Sequence, residues 1–319
     1  MSPRRLAFVL LLAAVAGATP LLAQDTATRP GLIAICPGEW VEEMQPWVKA
    51  RSVAFDARCV ALEEVLAGQQ GADAPERIKR FLYQEWRNRG LQLALLVGDA
   101  DTFPVRWMVL DRNTSEAFDY AFYASDLYYA DLATTDGSFD TWNARSDGFH
   151  GTYFGEVRGE HFKEPPINFD AISYVPEIGV GRWPVSTVAE LQAALAKTLE
   201  WEASRREGPR RALMAHANGW VDARSRLGTQ ADSLEKSGWT VERQFYGGKP
   251  SEPTPGSVKA SILGGTELVI HAGHGNSEVW DGCLGPRERE ALIAASPAIF
   301  FSVGCGTAHF ANEPPYDAY

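Results

Sequence analysis

The sequence predicts an α/β fold with a mostly parallel sheet flanked by helices. Apolar runs of strand length alternate with segments of helical spacing along most of the 319 residues. The strand-like runs, such as "GLIAIC", "LQLALLVGD" and "ELVIHAG", are almost uniformly apolar, as strands covered on both faces must be. Repeated strand–helix–strand units favour parallel pairing with helices on the two faces of the sheet. "EGPRR", Glu207–Arg211, interrupts the alternation and separates an N-terminal α/β subdomain (25–206) from a C-terminal subdomain (207–319).

The elements follow in order. "MSPRRLAFVLLLAAVAGATPLLAQ" (1–24) places Arg4 and Arg5 before an apolar core and small residues near Ala18 and Ala23, the layout of a secretory signal peptide. Its apolar run is short of the ~20 residues a membrane span needs. No later segment is long and apolar enough to cross a bilayer, so the mature chain is expected to be secreted, periplasmic or displayed at the cell surface. "GLIAIC" is the first strand. "APERIKRFLYQEWRNRG" carries Ile78, Phe81, Leu82 and Trp86 at helical spacing and closes on Gly90. "LQLALLVGD" and "PEIGVGRWP" read as further strands, and "TVAELQAALAKTLEWEASRR" as a long helix capped by Ser186 or Thr187.

Beyond the boundary, "ALMAHANG", "WTVERQFYG", "ELVIHAG" and "AIFFSVG" read as strands. "DARSRLGTQADSLEKSG", "GSVKASILGG" and "GPREREALIAAS" read as the helices between them. The stretch from about 111 to 168 breaks the alternation. Rich in Asp, Tyr, Phe and Gly, it is expected to be a long ordered acidic insertion loop.

The net charge of -11 argues against nucleic acid, whose phosphates require clustered Lys and Arg. Four cysteines are too few for a disulfide-built scaffold. Cys36 and Cys59 lie in early apolar segments and could pair in an oxidising compartment, whereas Cys283 and Cys305 fall near the histidine-rich stretches.

Two apolar strands, "ELVIHAGHG" and "AIFFSVGCG", end in Gly-X-Gly, with His274 and Cys305 between the glycines. In parallel α/β sheets, functional residues gather at the carboxyl ends of strands. A cysteine nucleophile needs a neighbouring base, and histidine titrates near working pH. Glycines beside both residues would let backbone N–H groups approach a developing oxyanion. A buried small Cys305 with a turn-forming His274 is the plainer alternative.

In "GHGNSEVW" the tryptophan Trp280 stands six residues after His274, and in "PAIFFSVGCGTAHF" Cys305 follows the histidine by 31. Together with "LALLVGDADTFP", "SDLYYADLATTDGSFD" and "VPEIGVGRWPVSTVAELQAALAKTLEWE", this ordered set resembles the gingipain family of caspase-fold cysteine peptidases from about Leu91 onward. The resemblance implies a caspase-like catalytic subdomain preceded by a smaller α/β subdomain, and a secreted cysteine endopeptidase acting on protein or peptide substrates. It implies Cys305 as nucleophile, His274 as general acid/base, and the backbone N–H groups of Gly275 and Cys305 as oxyanion hole, with no cofactor required for the chemistry. Trp280 and His216 would then line the substrate cleft.

Gingipains also place a carboxylate behind the catalytic histidine from the strand that opens the second subdomain. "ALMAHANGW" offers Asn218 instead, expected to orient His274 through a hydrogen bond. Tyr319 comes only 14 residues after Cys305, which would make the chain a fragment.

Other readings stay open. An inactive relative would use the same cleft to bind peptides or to scaffold a surface assembly. A zinc-binding structural domain would draw on His271, His274, Cys283, Cys305 and His309. Asp126, Asp131, Asp136, Asp140 and Asp147 crowd an oxygen-rich, Gly-containing loop that suits a structural calcium ion, which the family resemblance also suggests. Arg182 in "VGRWP" is expected to pair with a buried carboxylate.

Overall fold

The computed structural model describes residues 29–109, 122–142, 153–155, 172–203, 208–247, 252–292, 295–307 and 310–311. The leader segment 1–24, Asp147 and His309 lie outside the described residues.

The N-terminal half contributes β1 (Gly31–Cys36), β2 (Asp56–Ala61), β3 (Leu91–Val97), β4 (Arg106–Val109), β5 (Phe122–Ser125), β6 (Tyr153–Gly155) and β7 (Gly179–Trp183). Four of these form an all-parallel sheet in the order β2-β1-β3-β7. Every residue of β1 is buried, because helices cover both faces. Leu32, Ala34 and Cys36 meet Trp47 of α1 (Gln45–Arg51) and Leu191 and Leu195 of α5 (Val188–Ala203). Ile33 and Ile35 face the other way, toward Val65 of α2 (Leu62–Gly68) and Ile78 and Leu82 of α3 (Ala74–Arg89). The uniformly apolar "GLIAIC" thus reflects the period-two pleat serving two cores. Truncating Ile33 or Leu82, both fully buried, would cost about 2–5 kcal/mol each.

Local signals set the helix ends. At α3, the Asp73 side chain accepts a hydrogen bond from Glu76 N (2.9 Å), Pro75 sits in the first turn, and Gly90 terminates the helix with φ of +66°. At α5, Glu190 N donates to Thr187 Oγ1 (3.3 Å), while the Glu190 carboxylate accepts from Ser186 N (2.8 Å). These two residues form a reciprocal cap.

The segment expected as one long loop is more structured. It supplies β5, β6 and the short α4 (Leu127–Ala130), and β4 joins β5 and β6 in a three-stranded sheet. "FYAS" and "YFG" are too short for periodicity to reveal them.

The C-terminal half repeats the parallel plan. β8 (Arg211–His216), β9 (Thr240–Phe245), β10 (Leu268–Ala272) and β11 (Ile299–Val303) stand in the order β11-β10-β8-β9. Ala212, Met214 and Ile270 pack on Leu227, Ala231 and Leu234 of α6 (Arg224–Lys236). Leu213, Ala215 and Val269 pack on Val258 and Ile262 of α7 (Pro255–Leu263), alongside Cys283. Thr254 and Ser257 form a capping box at the start of α7. A short α8 (Pro286–Leu292) precedes β11, whose Ile299, Phe300, Phe301 and Val303 are exposed at the sheet edge.

Candidate active site

The pairing of β10 with β11 fixes the site. Their register matches His271 with Ser302 and Ala272 with Val303, and Gly273 N donates to Val303 O (3.0 Å) one step further on. His274 and Cys305 each lie two residues beyond that last matched pair, so they stand side by side where the ladder ends. Neighbouring strands run about 4.8 Å apart, so the two turns leave the sheet next to each other.

The glycines around them are required by close packing. A Cβ on Gly273 would lie 2.6 Å from Asn218 O, one on Gly275 would lie 2.7 Å from Thr307 Cγ2, and one on Gly304 would lie 3.0 Å from Gly273 O. Gly306 has φ of +62°, and a Cβ there would lie 3.4 Å from Asn276 Cα. The two turns therefore touch through their backbones, and the Gly275 Cβ position lies only 3.6 Å from Cys305 O. Neither Gly275 N nor Cys305 N donates in a turn or loop hydrogen bond among the described residues.

Cys305 is exposed and His274 half-buried. The other cysteine of this half behaves differently: Cys283 is fully buried, and burial pushes its thiol up to about 11. His271 is also interior. Its ring stacks on Trp280 (4.6 Å between centroids, 4° between planes), and its Nδ1 shares a hydrogen bond with the Ser302 hydroxyl (2.9 Å). Burial, reinforced by the nearby His216, pulls the His271 imidazole down to about 4. His271 is therefore neutral at physiological pH.

Several expected contacts take another form. His216 does not open onto the cleft. It is buried at 1% exposure, its Nδ1–H donating to Ala272 O (2.6 Å) and its Nε2 accepting from Ala223 N (3.1 Å). With both ring nitrogens satisfied, it braces the tip of β8. The Asn218 amide turns to Asp281, Nδ2 donating to Oδ2 at 3.2 Å, and Asp281 N in turn donates to His274 O (2.9 Å). Asn218 is thus linked to the histidine turn through Asp281 and the main chain, not to the ring itself. Trp280 lines a cavity of about 430 Å³ together with Asn276, Leu284, Phe300 and Thr307, beside the cysteine loop.

Sequence reasoning missed Asp281 and Trp220. The exposed Trp220 presents its ring edge-on to His274, 5.3 Å between centroids. Asp281 follows Trp280 and Trp220 stands two residues after Asn218, but only the tertiary turn brings them to the histidine.

The sequence profile of peptidase family C25 matches residues 25–317, nearly the whole chain. The chain belongs to peptidase family C25. The fold agrees. The crystal structure of the Arg-specific cysteine proteinase gingipain R superposes with a TM-score of 0.61 at 16% identity, over 90% of this chain and 57% of that one. A complex of the pro- and mature domains of Porphyromonas gingivalis RgpB gives 0.58 at 17% identity, over 86% of this chain and 55% of that one. The chain thus spans little more than half the length of these structures. No match is found among curated proteins.

In this C25 member, Arg182 is an internal brace. It makes a two-pronged ion pair with Asp126 (2.7 and 2.8 Å) and donates to Gly98 O (2.8 Å). Its guanidinium lies 5.0 Å from the Phe103 ring centroid and 5.1 Å from that of Phe310, five residues past Cys305. The remaining described aspartates have separate partners. Asp131 accepts from the Ser173 hydroxyl (3.1 Å), Asp136 from Ser138 N (2.9 Å), and Asp140 from Trp142 N (2.9 Å). No three acidic, His or Cys side chains converge as metal ligands among the described residues.

Cys36 and Cys59 face each other across neighbouring strands with sulfurs 3.4 Å apart, close enough to be joined by oxidation. No helix among the described residues is long and apolar enough to cross a membrane.

Proposed function

We propose that this chain is the catalytic core of an exported cysteine endopeptidase, with residues 1–24 serving as its export signal. The observation that carries the reading is the exposed Cys305 beside His274 at adjacent strand tips. Membership of family C25 supports it.

In this mechanism His274 takes the Cys305 thiol proton and the thiolate attacks the scissile carbonyl carbon. The resulting oxyanion is held by the N–H groups of Gly275 and Cys305. The imidazolium gives its proton to the departing amine, leaving a thioester on Cys305. His274 then accepts a proton from water, which attacks the thioester, releases the acid product and restores the thiol. Asp281 and Asn218 hold the histidine turn through the main chain.

The test is labelling with a peptidyl acyloxymethyl ketone library. Wild-type protein and Cys283→Ala should be labelled, and Cys305→Ala should not. Undiminished labelling of Cys305→Ala would sink the assignment. Labelling and hydrolysis both absent from the wild type, with peptides still bound, would favour the non-catalytic peptide-binding reading.

A further inference from the structure

The order of the strand tips gives the site a direction. Along the sheet, β11 carries Cys305, β10 carries His274, and β8 leads into the 217–223 loop that carries Trp220. The β11 and β10 tips are one strand spacing of about 4.8 Å apart, and the Trp220 ring lies 5.3 Å from that of His274 on the β8 side. The loop is held against the base turn, because a Cβ on Gly273 would lie 2.6 Å from Asn218 O and one on Gly219 would lie 3.4 Å from Gly273 Cα. Asn218 Nδ2 donating to Asp281 fixes the loop from one side, and Ala223 N donating to His216 fixes it from the other.

Trp220 gains nothing from the core. It is 85% exposed, and the adjacent Val221 is 73% exposed. An apolar pair held in water on an anchored loop beside His274 offers apolar surface for a ligand to cover. Its contact with the His274 ring sets where that ligand lies.

We infer that Trp220, with Val221, forms a subsite for an apolar side chain on the leaving-group half of the substrate. The inference rests on the peptidase reading above. The base must deliver its proton to the departing amine, so the peptide on that side of the cut runs over His274, away from Cys305. Extended peptide advances about 3.3 Å per residue. One of the first two residues after the scissile bond then reaches the indole face. Burying an aliphatic or aromatic side chain there displaces water from both surfaces, whereas a charged side chain loses hydration without a partner. Trp220 is thus a specificity residue, touching substrate but not the reacting atoms.

The experiment maps cleavage sites by mass spectrometry on a proteome-derived peptide library. Wild-type protein is compared with Trp220→Ala, Trp220→Phe and Cys305→Ala. Wild type should enrich Leu, Ile, Phe and Met at the first or second position after the cut. Trp220→Ala should lose that enrichment by roughly tenfold, in the range expected for an apolar subsite, while its preference before the cut is retained. Trp220→Phe should keep part of the enrichment, a rescue that loss of a merely structural contact would not produce. A flat profile after the cut in the wild type, or full enrichment retained by Trp220→Ala, would overturn the subsite alone. An equal loss on every peptide by Trp220→Ala would overturn it too, since that pattern belongs to a disturbed base. Cleavage that is absent, or unchanged in Cys305→Ala, would overturn the peptidase reading and the subsite with it.

Discussion

The two four-stranded sheets share a plan and differ at their tips. Both are all parallel and both pack helices on two faces, yet their C-terminal ends are built from opposite materials. In the N-terminal sheet, β7 ends near Arg182, whose guanidinium is spent on Asp126, backbone carbonyls and two aromatic rings. Past β3, Asp99 is engaged by Ser186 and by Thr102. In the C-terminal sheet, the tips of β10 and β11 are glycine turns around a half-buried histidine and an exposed cysteine. A parallel sheet offers its carboxyl end for chemistry in both halves, and the proposed site uses the half where His274 and Cys305 make no ion pair or side-chain hydrogen bond among the described residues.

That contrast can be broken in graded ways. Cys305→Ala or His274→Ala should reduce peptide hydrolysis by roughly 10³-fold or more with little change in melting temperature, since neither side chain is in the core. A loss below tenfold would remove these residues from the chemistry. In the other sheet, Arg182→Lys keeps the charge but loses the planar fork, and should cost about 3 kcal/mol in urea unfolding because Asp126 and the carbonyls are left short of donors. If the variant unfolds at the wild-type midpoint, Arg182 is no brace.

Glycine substitutions probe crowding directly. Gly273→Ala drives a methyl into Asn218 O and should destabilise by about 2 kcal/mol while slowing hydrolysis. Gly228→Ala, in α6 with open space around it, should instead stabilise by up to about 1 kcal/mol. Similar effects at both positions would refute the account of the Gly-X-Gly stops.

A pH dependence probes the interior histidine of the same sheet. Burial lowers the His271 imidazole from 6.5 to about 4, so between these values the unfolded chain binds a proton that the folded chain does not. Stability should therefore fall as pH drops from about 6.5 to 4, with this residue contributing a slope of up to about 1.4 kcal/mol per pH unit. Denaturant titrations of wild type and His271→Asn across that range check the sign, because the variant should lack this component. An identical slope in both proteins would place the titration elsewhere.

Much of the fold was legible because its signals are local. The apolar runs of β1, β3, β8 and β10, the Thr187 cap and the stop at Gly90 each depend on residues a few positions apart. The glycines around His274 and Cys305 were equally visible as interruptions of apolar strands. Strands β5 and β6 were hidden, since three or four residues cannot display a period.

Sequence alone determined the α/β class, the two Gly-X-Gly stops, and the choice of His274 and Cys305 as candidates. Only tertiary structure decided that β11 lies beside β10, that His216 and His271 are interior while His274 reaches the surface, and that Cys283 is sealed off. It also decided that Asn218 reaches Asp281, and that Trp220 stands exposed against the base. The physical reason is range. Periodicity and caps report the energies of neighbours in the chain, whereas strand order, burial and side-chain partnership are set by contacts between residues tens of positions apart, which no local pattern records.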